Sequence, residues 1–326
     1  MKLGAHIGIS RGLAWTASEA IRLRLECIQI FLSNPRGWKP AVPDDPAVAA
    51  QWRAALAGHN IAPVVGHSSY LVNLASPDAE LRRKSIVSAV AALRRGIALG
   101  SDRFIIPAGY HMGAGEQAGR QLLAAGLREL ADAAGAAMTV LLENTTGAGT
   151  GMCWRFEDMA AALAAAGDPH NAGICLDTCH VHASGYDLSH PELVNQVLEQ
   201  FDRVVGLARL GAMHLNDARH AAGSRRDVHA HIGRGTIACA SFGALMRHPR
   251  LTQTPGIIET PREQGWDVRN LRRLRRLRGQ QARNEQPLAA RMTRRHSSQR
   301  GPRTASARYF ASFDIGGRGN ALTPST

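Results

Sequence analysis

Long apolar stretches are missing from this sequence. No apolar run approaches the roughly 18 residues that a membrane-spanning helix needs. The amino terminus, MKLGAHIGIS, also lacks the apolar core of a secretory signal peptide. We therefore expect a soluble, cytoplasmic protein that does not bind membranes.

Cysteine is scarce as well. The 326 residues include five cysteines, scattered and odd in number. This pattern argues against a disulfide framework and for a reducing compartment. Cys175 and Cys179 flank the segment LDT within an apolar run, so we interpret both as small core residues.

Lysine occurs at only three positions, Lys2, Lys39 and Lys84, although the formal net charge is +13. Arginine therefore supplies nearly all of the positive charge. A strongly basic protein favours polyanionic partners such as nucleic acid. Genomic base composition would also raise the arginine and alanine content, so charge alone does not identify the partner.

Short apolar runs alternate with amphipathic helical patterns along the chain. The eight runs are residues 3–7, 27–32, 62–67, 103–107, 138–143, 173–177, 211–216 and 256–260. Apolar strands that alternate with helices indicate a parallel sheet covered on both faces. Eight such units predict an α/β fold of the (β/α)8 TIM barrel type over residues 1–279.

The alternating pattern stops after Gly279. Residues 280–326 are rich in Arg, Ser, Gly and Pro and have no sustained periodicity. We predict a disordered basic tail. Such a tail either adds nonspecific affinity for phosphates or has no role.

Histidine, aspartate or glutamate, the residue types that commonly bind metals, stands at or near the end of most of the apolar runs. In a (β/α)8 barrel the active site forms where the strands end, so these side chains would share one rim. The five residues are His67, Glu143, Asp177, His214 and Glu259. Carboxylates packed this closely would repel one another, and metal cations are the natural compensation.

The adjoining segments add three more candidate ligands. His180 follows Asp177 by three residues, and Asp227 and His229 have the i, i+2 spacing that lets both face one point. Histidine and carboxylate ligands without thiolates suit catalytic zinc or manganese. Two metal ions about 4 Å apart are a common device for attack on a phosphodiester.

Several long segments of the chain resemble endonuclease IV, the metal-dependent apurinic/apyrimidinic endonuclease family of DNA base-excision repair. They appear in the family's order between residues 3 and 278. The matching segments are GAHIGIS, QIFLSNPRGW, HSSYLVNLASP, LLENTTGAG, GICLDTCHVHASGYD, GAMHLNDARHAAGSRRDVHAHIGRG and IIETP.

The resemblance implies a (β/α)8 barrel that holds three zinc ions. The first ion would take His67 and Glu143. Glu143 would bridge to the second ion, which also takes Asp177, His214 and Glu259. The third ion would take His180, Asp227 and His229.

The resemblance also implies the reaction. A hydroxide between the first two zinc ions would cleave the phosphodiester 5′ to an abasic site and leave a 3′-hydroxyl and a 5′-deoxyribose phosphate. Glu143 and Glu259 would be the catalytic carboxylates, with Glu259 orienting or deprotonating the water.

The implied partner is double-stranded DNA with an abasic site, bound by a monomer. Arg36 and Tyr70 resemble the loop residues that enter the duplex and hold the abasic nucleotide outside it. Ser224 and Arg225 resemble phosphate contacts.

One ligand position departs from the family pattern. The family has a histidine at the end of the fourth strand, whereas this chain has Pro107 in the segment PAGYH. Proline has no donor atom in its side chain, and catalytic zinc usually has at least three protein ligands. We therefore expect a weakened first metal site, with His111 or solvent as a substitute ligand. Arg234 is a smaller departure, because the family often has an acidic residue there.

Several alternatives follow from these residues. Pro107 could mark a catalytically impaired relative that still binds abasic DNA, or a recent change or error in the sequence. A metal-dependent sugar isomerase on a related barrel would also draw histidines and carboxylates from strand ends. Such an isomerase would not need the cluster of His180, Asp227 and His229.

Overall fold

The structure is a computed structural model that describes residues 1–279. The predicted basic tail, residues 280–326, lies outside the described residues, so the tail and the division of the chain at residue 279 stay predictions.

Eight parallel strands close into a barrel, and two short antiparallel strands form a hairpin outside it. The strands are β1 (Lys2–His6), β2 (Cys27–Phe31), β3 (Val64–His67), β4 (Ser101–Pro107), β5 (Thr139–Glu143), β6 (Ala172–Asp177), β7 (Leu210–His214), β8 (Asp217–Ala218), β9 (His229–Ala230) and β10 (Pro255–Ile258). The barrel order is β1-β2-β3-β4-β5-β6-β7-β10 and back to β1, and β8 and β9 form the hairpin. The predicted TIM barrel is therefore confirmed.

Helices connect the strands and cover the outside of the barrel. They are α1 (Leu13–Arg22), α2 (Pro46–Ala57), α3 (Ala79–Ala98), α4 (Glu116–Ala134), α5 (Phe156–Ala165), α6 (Thr178–Ser184), α7 (Pro191–Val204), α8 (Cys239–Arg247) and α9 (Trp266–Gly279). Asp78 begins α3 by accepting backbone N–H groups of Glu80 and Leu81, which would otherwise lack partners.

Two apolar layers explain why the strand sequences are apolar without alternation. The barrel interior holds one buried cluster, and a larger cluster fills the space between strands and helices. Phe104 belongs to the outer layer and Ile105 to the inner one, so successive residues of β4 are both buried. The inner cluster consists of Cys27, Val65, Ile105, Leu141, Cys175, Ala212 and Ile257.

The core interpretation of Cys175 and Cys179 is confirmed, since both side chains are fully buried. Burial raises the pKa of the Cys175 thiol to about 11. Both cysteines are therefore packing residues with protonated thiols.

The strand boundaries differ slightly from the prediction. β1 begins and ends one residue earlier, and β10 ends at Ile258, so Glu259 directly follows the strand. His180 lies in α6 and His229 in β9, where the sequence suggested loops. The Asp177 carboxylate starts α6 by accepting the N–H groups of Cys179 and His180.

Among residues 1–279, no helix combines the length and the apolar character needed to cross a membrane.

We predict that Gly4→Ala destabilises the barrel by about 1–3 kcal/mol, the usual range for overpacking. A Cβ atom at Gly4 would lie 2.4 Å from the carbonyl oxygen of Cys27 on the neighbouring strand. Gly8→Ala is the matched control, because no heavy atom lies within 4 Å of a Cβ atom there. Urea unfolding of both variants tests this, and equal losses of stability would contradict it.

Candidate metal centre

The carboxyl ends of the strands surround a cleft of about 780 Å³. Six of the eight predicted metal ligands line it, and Asp177 and His214 lie fully buried. The six are His67, Glu143, His180, Asp227, His229 and Glu259. The rim of the barrel thus brings together ligands that are far apart in the sequence.

His214 stands at the centre of the ligand set predicted for the second metal. Its Nδ1 lies 2.8 Å from Glu143 Oε1, 3.1 Å from Glu259 Oε2 and 3.7 Å from Asp177 Oδ2. One ligand atom from each of these four residues lies within 4.8 Å of the others. This spacing places four donor atoms around one point.

The surroundings of His214 favour a positive charge. Burial works to lower the pKa of His214, but the carboxylates of Glu259 and Glu143 help to hold it well above its usual value. Burial works to raise the pKa of Glu143, yet His214 and His67 hold it well below its usual value. Three carboxyl groups around one imidazole leave negative charge that a metal cation would offset.

The set predicted for the third metal also converges. Asp227 Oδ1 lies 3.2 Å from His180 Nε2 and 3.4 Å from His229 Nε2. Both ring nitrogens are buried and have no hydrogen-bond partner in the described part of the chain. Burial works to lower the pKa of His180, but Asp177 and Asp227 raise it well above its usual value. This point therefore also favours a cation.

The orientation of His180 suits a metal ligand. Its Nδ1 lies 2.8 Å from the carbonyl oxygen of Asn144, which can only accept a hydrogen bond. Nδ1 therefore carries the proton of the neutral ring, and the Nε2 lone pair faces Asp227. Histidines that bind metals usually donate their other ring nitrogen in this way.

The set predicted for the first metal is incomplete. His67 Nε2 lies 3.4 Å from Glu143 Oε2, and its Nδ1 is 2.8 Å from the carbonyl oxygen of Ser68. Pro107 pairs in register with Glu143 on the next strand, so β4 ends beside the site without a donor atom. The ligand sets around His214 and Asp227 fit metal ions. The pair of His67 and Glu143 lacks a third protein ligand.

His111 has a different environment from the one suggested for a substitute ligand. It is absent from the cleft lining and from the converging groups of ligand atoms among residues 1–279. Its Nδ1 accepts the N–H of Gly115 at 3.1 Å, at the start of α4. The His111 ring is therefore hydrogen-bonded to the residue just before α4 and does not line the cleft.

The four predicted DNA contacts lie on loops of the described chain. Tyr70 is 61% exposed, lines the cleft and packs edge-on against Phe31 at 5.0 Å. Arg36 is exposed, and its N–H donates to Asn34 Oδ1 at 3.0 Å. The two loops are joined, because the Tyr70 N–H donates to Pro35 O at 3.1 Å.

Ser224 and Arg225 lie on the segment between β8 and β9. The Ser224 hydroxyl is buried and has no hydrogen-bond partner within residues 1–279. The Arg225 guanidinium donates to Gly147 O at 3.2 Å and lies over the Trp154 ring at 4.4 Å. Contacts within the protein therefore already hold the arginine in place.

Gln29 is a site residue that the sequence reasoning missed. Its Nε2 donates to Glu259 Oε1 at 2.6 Å, so its Oε1 faces His214 Nε2 at 2.9 Å. The amide oxygen accepts the Nε2 proton, so in the neutral ring the Nδ1 lone pair of His214 is left for a cation among the carboxylates. The one signal in the sequence is an amide within the apolar run CIQIF.

Asn144 and Asn216 were also missed. Asn216 Nδ2 donates to Asp177 Oδ2 at 2.6 Å, and its Oδ1 accepts the Glu259 N–H at 2.9 Å. Asn144 Oδ1 accepts the Asp177 N–H at 2.7 Å. The sequence feature that could have identified both asparagines is their position, since each lies within two residues of a predicted ligand.

A (β/α)8 barrel with histidines and carboxylates clustered on its rim is typical of the class of metal-dependent TIM-barrel enzymes. The family model for xylose isomerase-like TIM barrels matches residues 18–280. The chain belongs, more particularly, to the endonuclease IV family within that class, as its relatives show.

Those relatives are similar over nearly their whole length. A protein of Chloroflexus aurantiacus named probable endonuclease 4 is 40% identical over 279 residues, which is 85% of this chain and 98% of the relative. A protein of the same name from Methanoculleus marisnigri is 38% identical over 85% of this chain and 99% of the relative. The crystal structure of endonuclease IV from Thermus thermophilus has a TM-score of 0.76 and 34% identity, covering 85% of this chain and 98% of that chain.

The likeness to structures of lower sequence identity concerns the fold alone. The crystal structure of a D-tagatose 3-epimerase-like protein has a TM-score of 0.66 at 15% identity and covers 85% of this chain and 97% of that chain. This likeness establishes the common fold.

We predict that Asn216→Ala weakens zinc binding by about 10- to 100-fold, the usual effect of removing a residue that orients metal ligands. Asn171→Ala is the matched control, because Asn171 is also buried and donates two hydrogen bonds, but to the carbonyls of Ala131 and Gly135. Competition with a chromophoric chelator measures both affinities. Equal zinc affinity in the two variants would contradict the role given to Asn216.

Proposed function

We propose that this chain is a DNA-repair hydrolase that cleaves the phosphodiester 5′ to an abasic site and leaves a 3′-hydroxyl and a 5′-deoxyribose phosphate. Its partner is double-stranded DNA, bound by a monomer. The observation that carries the proposal is the convergence of the His214 and Asp227 ligand sets on one cleft in a member of the endonuclease IV family.

The residues assigned to each metal follow the geometry of the cleft. Glu143, Asp177, His214 and Glu259 hold one ion, and His180, Asp227 and His229 hold another. The first metal position keeps His67 and Glu143 and is weakened by Pro107. The family is generally zinc-dependent, and manganese suits the same ligands. When bound, the metal ions lower the pKa of a water molecule and offset the charge of the reacting phosphate.

The side chains around the metals orient the reactants. Glu259 lines the cleft, and Gln29 fixes its carboxylate through Oε1. A fixed carboxylate at this place can accept a proton from the attacking water. Glu143 lies between the His67 and His214 rings and holds both in position.

The loops around the cleft bind the damaged duplex. Arg36 and Tyr70 enter the DNA, where an abasic nucleotide is cheaper to extrude than a paired one. Ser224 and Arg225 contact phosphates.

Pro107 favours one alternative, a catalytically impaired relative that binds abasic DNA. It removes a ligand from the first metal position and leaves the other two sets unchanged. A sugar isomerase has less support, because the epimerase-like structures share only the fold at 15% identity.

Cleavage of a duplex with one abasic site tests the proposal. We predict that a chelator abolishes cleavage, that zinc restores it, and that Glu259→Gln lowers the rate by about 100-fold or more, because a proton acceptor is lost. Glu192→Gln removes an exposed carboxylate on α7 and serves as the control. Intact cleavage by Glu259→Gln would contradict the role of Glu259.

Replacing Pro107 tests the first metal position. We predict that Pro107→His adds about one zinc ion per chain and raises the cleavage rate, because it supplies a third protein ligand. Pro107→Ala is the matched control, since it removes proline without adding a donor atom. Metal analysis of the purified variants gives the readout, and an unchanged zinc content in Pro107→His would count against the assignment of this position.

A further inference from the structure

Tyr110 has no role in the function proposed so far, although it lies in the same cleft. Its side chain is 51% exposed and lines the cleft together with Tyr70 and Glu143. It lies three residues after Pro107, on the loop that joins β4 to α4.

Hydrogen bonds hold the Tyr110 backbone from two sides. Asn73 accepts the Tyr110 N–H at 3.0 Å and donates to the Tyr110 carbonyl at 2.9 Å. On the other side, Tyr110 pairs with Gly151, and the Met152 N–H donates to Gly109 O at 2.9 Å. The loop therefore presents the side chain from a fixed position.

Gly109 makes this arrangement possible. Its φ of +75° lies in the left-handed region, and a Cβ atom there would lie 2.2 Å from Asn73 Oδ1. The contact that anchors Tyr110 thus requires glycine at the preceding position.

The Tyr110 ring itself has no hydrogen bond and no ring contact within residues 1–279. Tyr70, by contrast, packs against Phe31 at 5.0 Å and His67 at 6.1 Å. A single exposed tyrosine is ordinary on a protein surface. An aromatic ring that is anchored through its backbone, lines the substrate cleft and contacts no other ring is suited to contact a ligand.

We propose that Tyr110 is a further DNA-contacting residue that stacks on a nucleobase beside the abasic nucleotide. This inference rests on the proposed function. An abasic site leaves the faces of its neighbouring bases without a stacking partner, and an aromatic ring can replace the missing one. A tyrosine on a fixed backbone loses little conformational entropy when it stacks, and every base offers a π-face.

Binding to a duplex with a stable abasic analogue and a neighbouring 2-aminopurine tests the proposal. All variants carry Glu259→Gln, which keeps the DNA intact during the measurement. We predict that Tyr110→Ala weakens binding by about 10- to 100-fold, the range for loss of one stacked base. Tyr110→Phe keeps the affinity within about 2-fold, because only the ring is needed.

The 2-aminopurine emission reports stacking directly. We expect binding to quench it with Tyr110 or Tyr110→Phe and not with Tyr110→Ala. Met112→Ala is the control, since Met112 is 54% exposed on the same loop and does not line the cleft. It should bind and quench like the unchanged chain.

Three results would overturn the role of Tyr110: unchanged affinity in Tyr110→Ala, failure of Tyr110→Phe to restore binding, or emission that does not depend on the ring. Cleavage by the chain without substitutions separates this inference from the proposed function. If that chain cleaves abasic DNA and any of the three results appears, only the inference fails. If it neither binds nor cleaves abasic DNA, both fail.

Discussion

Repulsion among buried carboxylates is the constraint on which the centre of this molecule depends. Glu143, Asp177 and Glu259 all face His214 Nδ1 within 3.7 Å, at the carboxyl ends of the strands and next to an apolar barrel interior. Without compensating positive charge, the desolvation of these groups would oppose folding. A metal ion would supply that charge, so the feature that makes the site costly to bury also makes it a candidate cation site.

Neutral amides hold this cluster in place. Gln29 and Asn216 each connect two ligand residues, and their hydrogen bonds decide which ring nitrogen and which carboxylate oxygen face the centre. Amides can do this because they donate and accept without adding charge. Charged residues in place of these amides would change the net charge that a metal cation would have to offset.

The cleft is asymmetric because of β4. The neighbouring strands β3 and β5 end in His67 and Glu143, whereas β4 ends in Pro107. The loop beyond β4 carries Tyr110, anchored by Asn73. On this side, the wall of the cleft thus offers aromatic surface next to the predicted first metal position, where β4 supplies no donor atom.

The sequence alone determined the barrel and supplied the candidate ligands, which stay a prediction. Strands buried on both faces must be apolar throughout, so eight apolar runs were visible without a structure. The ligand residues follow those runs, and the resemblance to endonuclease IV placed them in sets. The amide network could not be predicted, because Gln29 and Glu259 meet only when strands 230 residues apart close the barrel. Tertiary structure also decided that His229 lies on a hairpin and that Tyr110 lines the cleft. These positions depend on contacts between distant segments, and no local pattern in the sequence encodes them.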